Sequence, residues 1–199
     1  MVDITNIAAS TQSEKVISVN SSQETVTSYP LLDYVVPNVD EHQDLLRAMR
    51  KACGWGLADV PQWFVQQSEG TRIMVVFYQH GTKTPAGMGA VELIDFDHGD
   101  KDVADLDSKR GSIVSLFLYK KFRGKGYLGR ILLILEEIAR EEKGLEIVTL
   151  YGLSLAGGYE KFGYKTFKMQ KRNYGGNNNW DTRYLQKSLR EQESQQLVV

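Results

Sequence analysis

The chain has 199 residues, 42% of them hydrophobic and 25% charged, enough for one sizeable core and ordinary for a globular protein. Its 24 Lys and Arg against 25 Asp and Glu leave a formal net charge of −1, so the basic excess of a general nucleic-acid binder is missing. The single cysteine, Cys53, excludes an internal disulfide and any four-cysteine or Cys/His zinc framework, and is read as a packed thiol. No apolar run is long enough to span a bilayer, and the N-terminus has neither a signal pattern nor an arginine-rich transit composition. A cytoplasmic or nucleocytoplasmic protein is the expectation.

Residues 1–27 are rich in Ser, Thr, Gln and Asn without periodicity, and are read as a flexible or loosely docked arm. The folded domain is expected over 28–189, with a mobile tail at 190–199. Leu31 to Val36 reads as a strand stopped by Pro37. Asp40 is expected to cap a helix carrying Leu45, Leu46, Met49 and Ala52 on one face and ending near Gly54. Pro61 opens a second helix, over about 62–68, with Trp63 and Phe64 available for burial.

Arg72 to Tyr78 and Ala86 to Asp95 read as an antiparallel hairpin around His80-Gly81-Thr82-Lys83. A polar loop from Asp95 to Arg110 follows and holds six aspartates. Ser112 to Leu118 is apolar enough for a buried strand. After it, apolar residues at 128, 131, 132, 135, 138 and 139 trace one helix face that stops at Lys143-Gly144. Ile147 to Tyr151 is another strand, Ala156 to Phe162 a short helix. Tyr164 to Lys171 and Trp180 to Ser188 close the fold as strands around Gly175-Gly176-Asn177-Asn178-Asn179. Alternating strands and helices with hairpins at both ends give an α/β fold with a mixed sheet.

Between the 112–118 strand and its helix lies Arg123-Gly124-Lys125-Gly126-Tyr127-Leu128-Gly129. A glycine-rich turn that follows a strand and opens a helix aims backbone N–H groups and a positive helix end at one spot, which suits phosphate oxygens. A P-loop is excluded, because Gly126 is followed by Tyr127 with no hydroxyl in place for magnesium. Gly124-x-Gly126-x-x-Gly129 has the spelling of a dinucleotide fingerprint, with Glu146 about 20 positions on. Glu146, however, begins the next apolar run instead of ending it.

Strand, Arg-Gly-Lys-Gly turn, amphipathic helix, strand and Tyr159-Glu160-Lys161-Phe162-Gly163-Tyr164 together resemble the GNAT superfamily of N-acetyltransferases, most strongly over 112–167. The resemblance implies the acyl-coenzyme A N-acyltransferase fold, a central mixed sheet with helices on both faces. It also implies transfer of acetyl from acetyl-coenzyme A to a primary amine by direct attack in a ternary complex, with no metal. Backbone groups of Leu116, Phe117 and Leu118 would bind the pantetheine arm. N–H groups of Arg123, Gly124, Lys125, Gly126, Leu128 and Gly129 would hold the pyrophosphate. Leu128 stands where the family has Gly or Ala; its side chain would crowd the pyrophosphate, a crowding that Gly129 beside it would relieve.

The resemblance makes Tyr159 the general acid for the departing thiolate, with packing of the last helix as the alternative. A phenol is protonated at pH 7 and suits that role. Some relatives place Glu or His at positions matching Ser112 and Val114. Neither is a base here, although Ser112 can orient a water. Glu92 is the substitute base, directly or through water, and a solvent-facing carboxylate is its alternative; Asp95 and His98 are further candidates. His42 and His80 read as surface residues. The aspartate loop is either an attractor of cationic amines or a solubilising face. Trp55 and Trp63 are either an aromatic wall for the acceptor or core.

Two other functions stay open. One is a catalytically silent acyl-coenzyme A sensor or scaffold, favoured by the missing base on the central strand. The other is a dinucleotide-binding oxidoreductase, disfavoured by the late position of the turn. The acceptor, a small-molecule or peptide amine, is not named by these residues, and an oligomer is possible; neither nucleic acid nor membrane is expected as a partner.

Overall fold

A computed structural model describes residues 29–153, 158–173 and 179–190. The expected arm over 1–27, the tail beyond Arg190, the turn over 175–178 and the start of the expected 156–162 helix lie outside the described residues. The elements, in order, are β1 (Leu32–Val35), α1 (Val39–Cys53), α2 (Asp59–Ser68), β2 (Arg72–Gln79), β3 (Pro85–Glu92), β4 (Arg110–Leu118), α3 (Tyr127–Lys143), β5 (Ile147–Leu153), β6 (Lys165–Asn173) and β7 (Asn179–Ser188). None of the described helices is long and apolar enough to cross a membrane.

Two helix starts differ from expectation. Asn38, not Asp40, caps α1: its side-chain oxygen accepts from the Glu41 amide at 2.8 Å, while Asp40 lies inside the first turn and favours the helix dipole. Helix α2 begins at Asp59, with Pro61 already inside its first turn, where a missing N–H costs no helical hydrogen bond. At the far end of α3, Gly144 takes φ 63°. Its amide bonds to Arg140 O and that of Leu145 to Ala139 O, a Schellman stop.

The strands form one seven-stranded sheet in the order β1-β2-β3-β4-β5-β7-β6. All neighbours are antiparallel except β4 and β5. Helix α3 covers one face through buried Ile131, Leu132, Leu135 and Ile138, packed with Val75, Phe77, Val91, Ile113 and Val148. Each such side chain stabilises the fold by roughly 1.5–3 kcal/mol when fully buried. Helices α1 and α2 cover the opposite face through Leu46, Met49, Val60 and Trp63, packed on Met74, Val76, Met88 and Ala90.

The parallel β4–β5 pairing is short. Its register runs only from Arg110↔Ile147 to Ser112↔Thr149, although β4 continues to Leu118 and β5 to Leu153. The two strands part after Ser112. On the other side of β4, Val114 faces Ala90 and Phe117 faces Met88, so β4 carries one extra residue there. Ser115, inside this bulge, has φ 54°.

Candidate active site

Beside the C-terminal half of β4, past the point where it leaves β5, lies a cleft of about 580 Å³. It is lined by Leu116, Phe117 and Leu118 of β4, by Arg123, Gly124 and Gly126 of the turn, and by Leu128 and Gly129 of α3. Tyr159 stands on its far wall with Lys161 and Phe162. Of the residues expected at a coenzyme site, only Lys125 is not part of the lining; it is exposed at the N-terminus of α3. Tyr119 donates its amide to Ala86 of β3, so strand alternation turns the polar groups of Leu118 to the gap.

The turn explains the open helix end. Gly126 is the N-cap of α3 at φ 85°, a conformation that suits glycine, and it supplies no side-chain cap. Among the described residues the amides of Gly124, Lys125, Gly126, Tyr127 and Leu128 donate to no acceptor. Two of the expected donors are engaged: the Arg123 amide with Lys120 O and the Gly129 amide with Gly126 O, each at 3.1 Å. The Arg123 side chain folds back, its Nε donating to Leu118 O at 2.8 Å. Consecutive free amides at a positive helix end are a donor set that fits a diphosphate.

Gly129 lines the cleft beside Leu128, and its missing side chain has a second use. A Cβ at Gly129 would lie 2.4 Å from the Tyr29 ring and 2.9 Å from that of Phe162. The missing side chain admits these two rings, while Leu128 itself lines the cleft.

Tyr159 is half-buried, and burial holds its phenol above the ordinary value of 10.0, so it remains a proton donor through neutral pH. Its ring meets that of Tyr164 edge-on at 6.3 Å. The Tyr164 hydroxyl donates to the buried Glu136 at 2.8 Å, which ties the last turn to α3.

Glu92 is not the solvent-facing carboxylate of the alternating-strand pattern. It is 8% exposed. It pairs in register with Arg72 on β2 and with Ser112 on β4, which puts the three side chains on the α1/α2 face at the point where β4 and β5 part. Arg72 Nη1 donates to Glu92 Oε1. Burial lifts the Glu92 carboxyl to about 7 against the pull of Arg72, with Asp97 and Asp95 adding to the rise. The pattern misled because an ion pair on the covered face lets a charged residue occupy a core position. Ser112 is 1% exposed and its Oγ has no hydrogen-bond partner, nor does Arg72 Nε.

Of the loop carboxylates, Asp95 is buried and accepts from the amides of Asp97 and Asp100, and Asp97 accepts from the Tyr151 hydroxyl at 2.6 Å. Lys168 engages Asp100 at 2.6 Å. His98 is exposed on the same loop. His80 contacts Asp33 at 2.7 Å, and His42 accepts from the Asn38 amide. The two tryptophans divide their roles: Trp55 lines the cleft, whereas Trp63 is core, with the guanidinium groups of Arg50 and Arg72 at 4.7 and 4.5 Å from its ring. Cys53 also lines the cleft, and burial pushes its thiol to about 11, leaving it protonated. No group of three His, Cys, Asp or Glu among the described residues is placed to hold a metal ion.

Cys53, Ile131, Lys161, Phe162 and Tyr29 were not singled out as site residues by the sequence. Lys161 and Phe162 stand in the Tyr159–Tyr164 motif; Cys53 and Tyr29 carry no local signal.

The family model described as the acetyltransferase (GNAT) family matches residues 40–164. No curated protein sequence matches the chain. Among solved structures, a spermidine/spermine N-acetyltransferase of Vibrio cholerae in complex with manganese ions is 10% identical with a TM-score of 0.63, covering 82% of this chain and 96% of its own. A spermidine N-acetyltransferase from the same organism in complex with CoA and spermine is 9% identical, TM-score 0.63, over 79% and 95%. An N-acetyltransferase from Staphylococcus aureus Mu50 is 13% identical, TM-score 0.63, over 80% and 99%. At these identities the likeness establishes the fold.

Proposed function

Since the chain belongs to the acetyltransferase (GNAT) family, we propose that it transfers acetyl from acetyl-coenzyme A to a primary amine by direct attack within a ternary complex. The carrying observation is the cleft itself. Leu116–Leu118 of β4, the turn residues Gly124 and Gly126 with Leu128, whose amides are open, and the hydroxyl-bearing Tyr159 line one space.

Bound acetyl-coenzyme A supplies an acyl thioester. The chain's own groups do the rest. The amides at the start of α3 bind the diphosphate charge, with Lys125 beside them. Outward-facing backbone of Leu118 and its neighbours orients the pantetheine arm. Glu92, with a carboxyl balanced near neutrality, takes a proton from the ammonium of the acceptor, directly or through a water that Ser112 Oγ helps orient. As the freed amine nitrogen bonds the acetyl carbon and the C–S bond breaks, Tyr159 Oη gives its proton to the departing sulfur, and the second proton shed by the acylated nitrogen returns through solvent to the phenolate.

The acceptor is a small cationic amine. The Asp95 and Asp97 carboxylates beside Glu92 favour positive charge on this side of the sheet, and Vibrio neighbours of the same fold are named for spermidine or spermine. An acceptor screen followed by free-thiol release tests this, with spermidine, spermine, amino sugars, arylalkylamines, lysine and peptide N-termini, and with Tyr159→Phe as control. Turnover with polyamines above peptides is expected. Coenzyme A binding without acetyl consumption on any amine would instead identify a silent sensor.

A further inference from the structure

Arg72 is 3% exposed and its guanidinium reaches two different strands. Nη1 donates to Glu92 Oε1 on β3, and Nη2 donates to Ser115 Oγ on β4 at 2.7 Å. Its Cζ lies 4.5 Å from the centre of the Trp63 ring, and that of Arg50 lies 4.7 Å from the same ring. A planar fork with its two Nη atoms bonded to different strands and an aromatic ring against it is restricted in orientation.

Both ends of that fork matter to the site. Ser115 is the non-glycine residue of β4 with φ 54°, a conformation L side chains rarely adopt, and it forms the bulge from which Leu116, Phe117 and Leu118 run along the cleft. The hydrogen bond from Arg72 holds that backbone in place. Glu92 is the other end.

We infer that Arg72 is a positioning residue serving both substrates, fixing the β4 bulge through Ser115 for the coenzyme and fixing Glu92 for the acceptor. This rests on the roles given above to Glu92 and to Leu116–Leu118. The charged and titratable groups around the pair are few. Glu92 faces Arg72 from β2, Asp95 and Asp97 from the loop after β3, and uncharged Ser112 from β4; Arg72 further faces Arg50 from α1, Asp97, and Tyr151 from β5. Of these, Arg72 and Arg50 are the cations, and only Arg72 touches the Glu92 carboxylate.

The test uses the full chain with Ser115→Ala, Arg72→Lys, Arg72→Met and Glu92→Gln. It reads coenzyme A affinity by calorimetry and the acid limb of kcat/KM against pH. Ser115→Ala should weaken coenzyme A binding about tenfold, the scale of one lost charge-assisted hydrogen bond, and leave the acid limb in place. Arg72→Lys keeps a cation beside Glu92 but cannot span both strands, so it should lose the same affinity with a near-normal limb. Arg72→Met should lose affinity and move the limb to higher pH, because the cation that favours the ionised Glu92 is gone.

Wild-type coenzyme A affinity in both Ser115→Ala and Arg72→Lys would overturn the inference, and neither variant removes a buried charge. An acid limb that survives Glu92→Gln removes the base reading instead, and with it only the Glu92 half of the role; the affinity readings still decide the Ser115 half.

Discussion

The ring of Tyr29 fills the space that a side chain at Gly129 would need, 100 positions further along the chain. Tyr29 also packs near Phe162, at 6.4 Å between ring centres, and Pro30 sits over Gly126. The segment that leads into β1 thus rests on the first turn of α3, the turn whose amides open on the cleft.

Gly129→Ala should therefore displace Tyr29 and disturb that first turn. We expect a loss of about 1–3 kcal/mol in stability from overpacking, together with weaker coenzyme A binding. In a Tyr29→Ala background the same substitution should be cheaper, since the obstructing ring is gone. A double-mutant cycle by chemical denaturation checks it, and strict additivity of the two changes would show that the rings do not compete for this space.

Glu92→Gln should remove a limb from the pH profile. A base must be ionised to work. With its carboxyl near 7, wild-type kcat/KM falls as pH drops below that value and levels above it. Glutamine has no such transition, and its plateau should lie about 100-fold lower. Initial rates between pH 5 and 9 decide the matter.

Tyr159→Phe retains the ring and its contact with Tyr164 while deleting the proton. A fall in kcat of about 100-fold, with coenzyme A affinity little changed, is expected of a general acid. The wild-type enzyme should show no downturn from this group below pH 10, because burial raises the phenol. If kcat is unaltered in the variant, Tyr159 is a packing residue.

Lys125→Glu places a negative charge beside the open amides of α3. Coenzyme A affinity should drop most at low salt, and the difference from wild type should shrink as ionic strength rises. A penalty independent of salt would indicate a rearranged turn.

Glu136 stands under the site, 5% exposed, accepting from the Tyr164 hydroxyl at 2.8 Å and from Lys187 Nζ of β7 at 2.6 Å. Glu136→Ala strands both donors and should cost about 3 kcal/mol in urea unfolding. Glu136→Gln, which keeps an acceptor for Tyr164, should cost less.

Much of this molecule is written locally. The 3.6-residue spacing from 128 to 139 and the Gly144 stop define α3, and the glycines at 124 and 126 declare a turn that exposes amides, because periodicity and positive φ are properties of a few adjacent residues. The same locality placed Leu116–Leu118 and Tyr159 on elements that share one cleft. What only the tertiary structure decided are the pairings between distant strands. The insertion of β7 between β5 and β6, the parting of β4 from β5 after Ser112, and the seating of Tyr29 on Gly129 depend on contacts across the chain. So does the fate of Glu92. An alternating strand says which residues share a face, but not whether that face meets water or two helices and the guanidinium of Arg72, and it is burial there, working against the pull of Arg72, which sets the charge of the carboxyl.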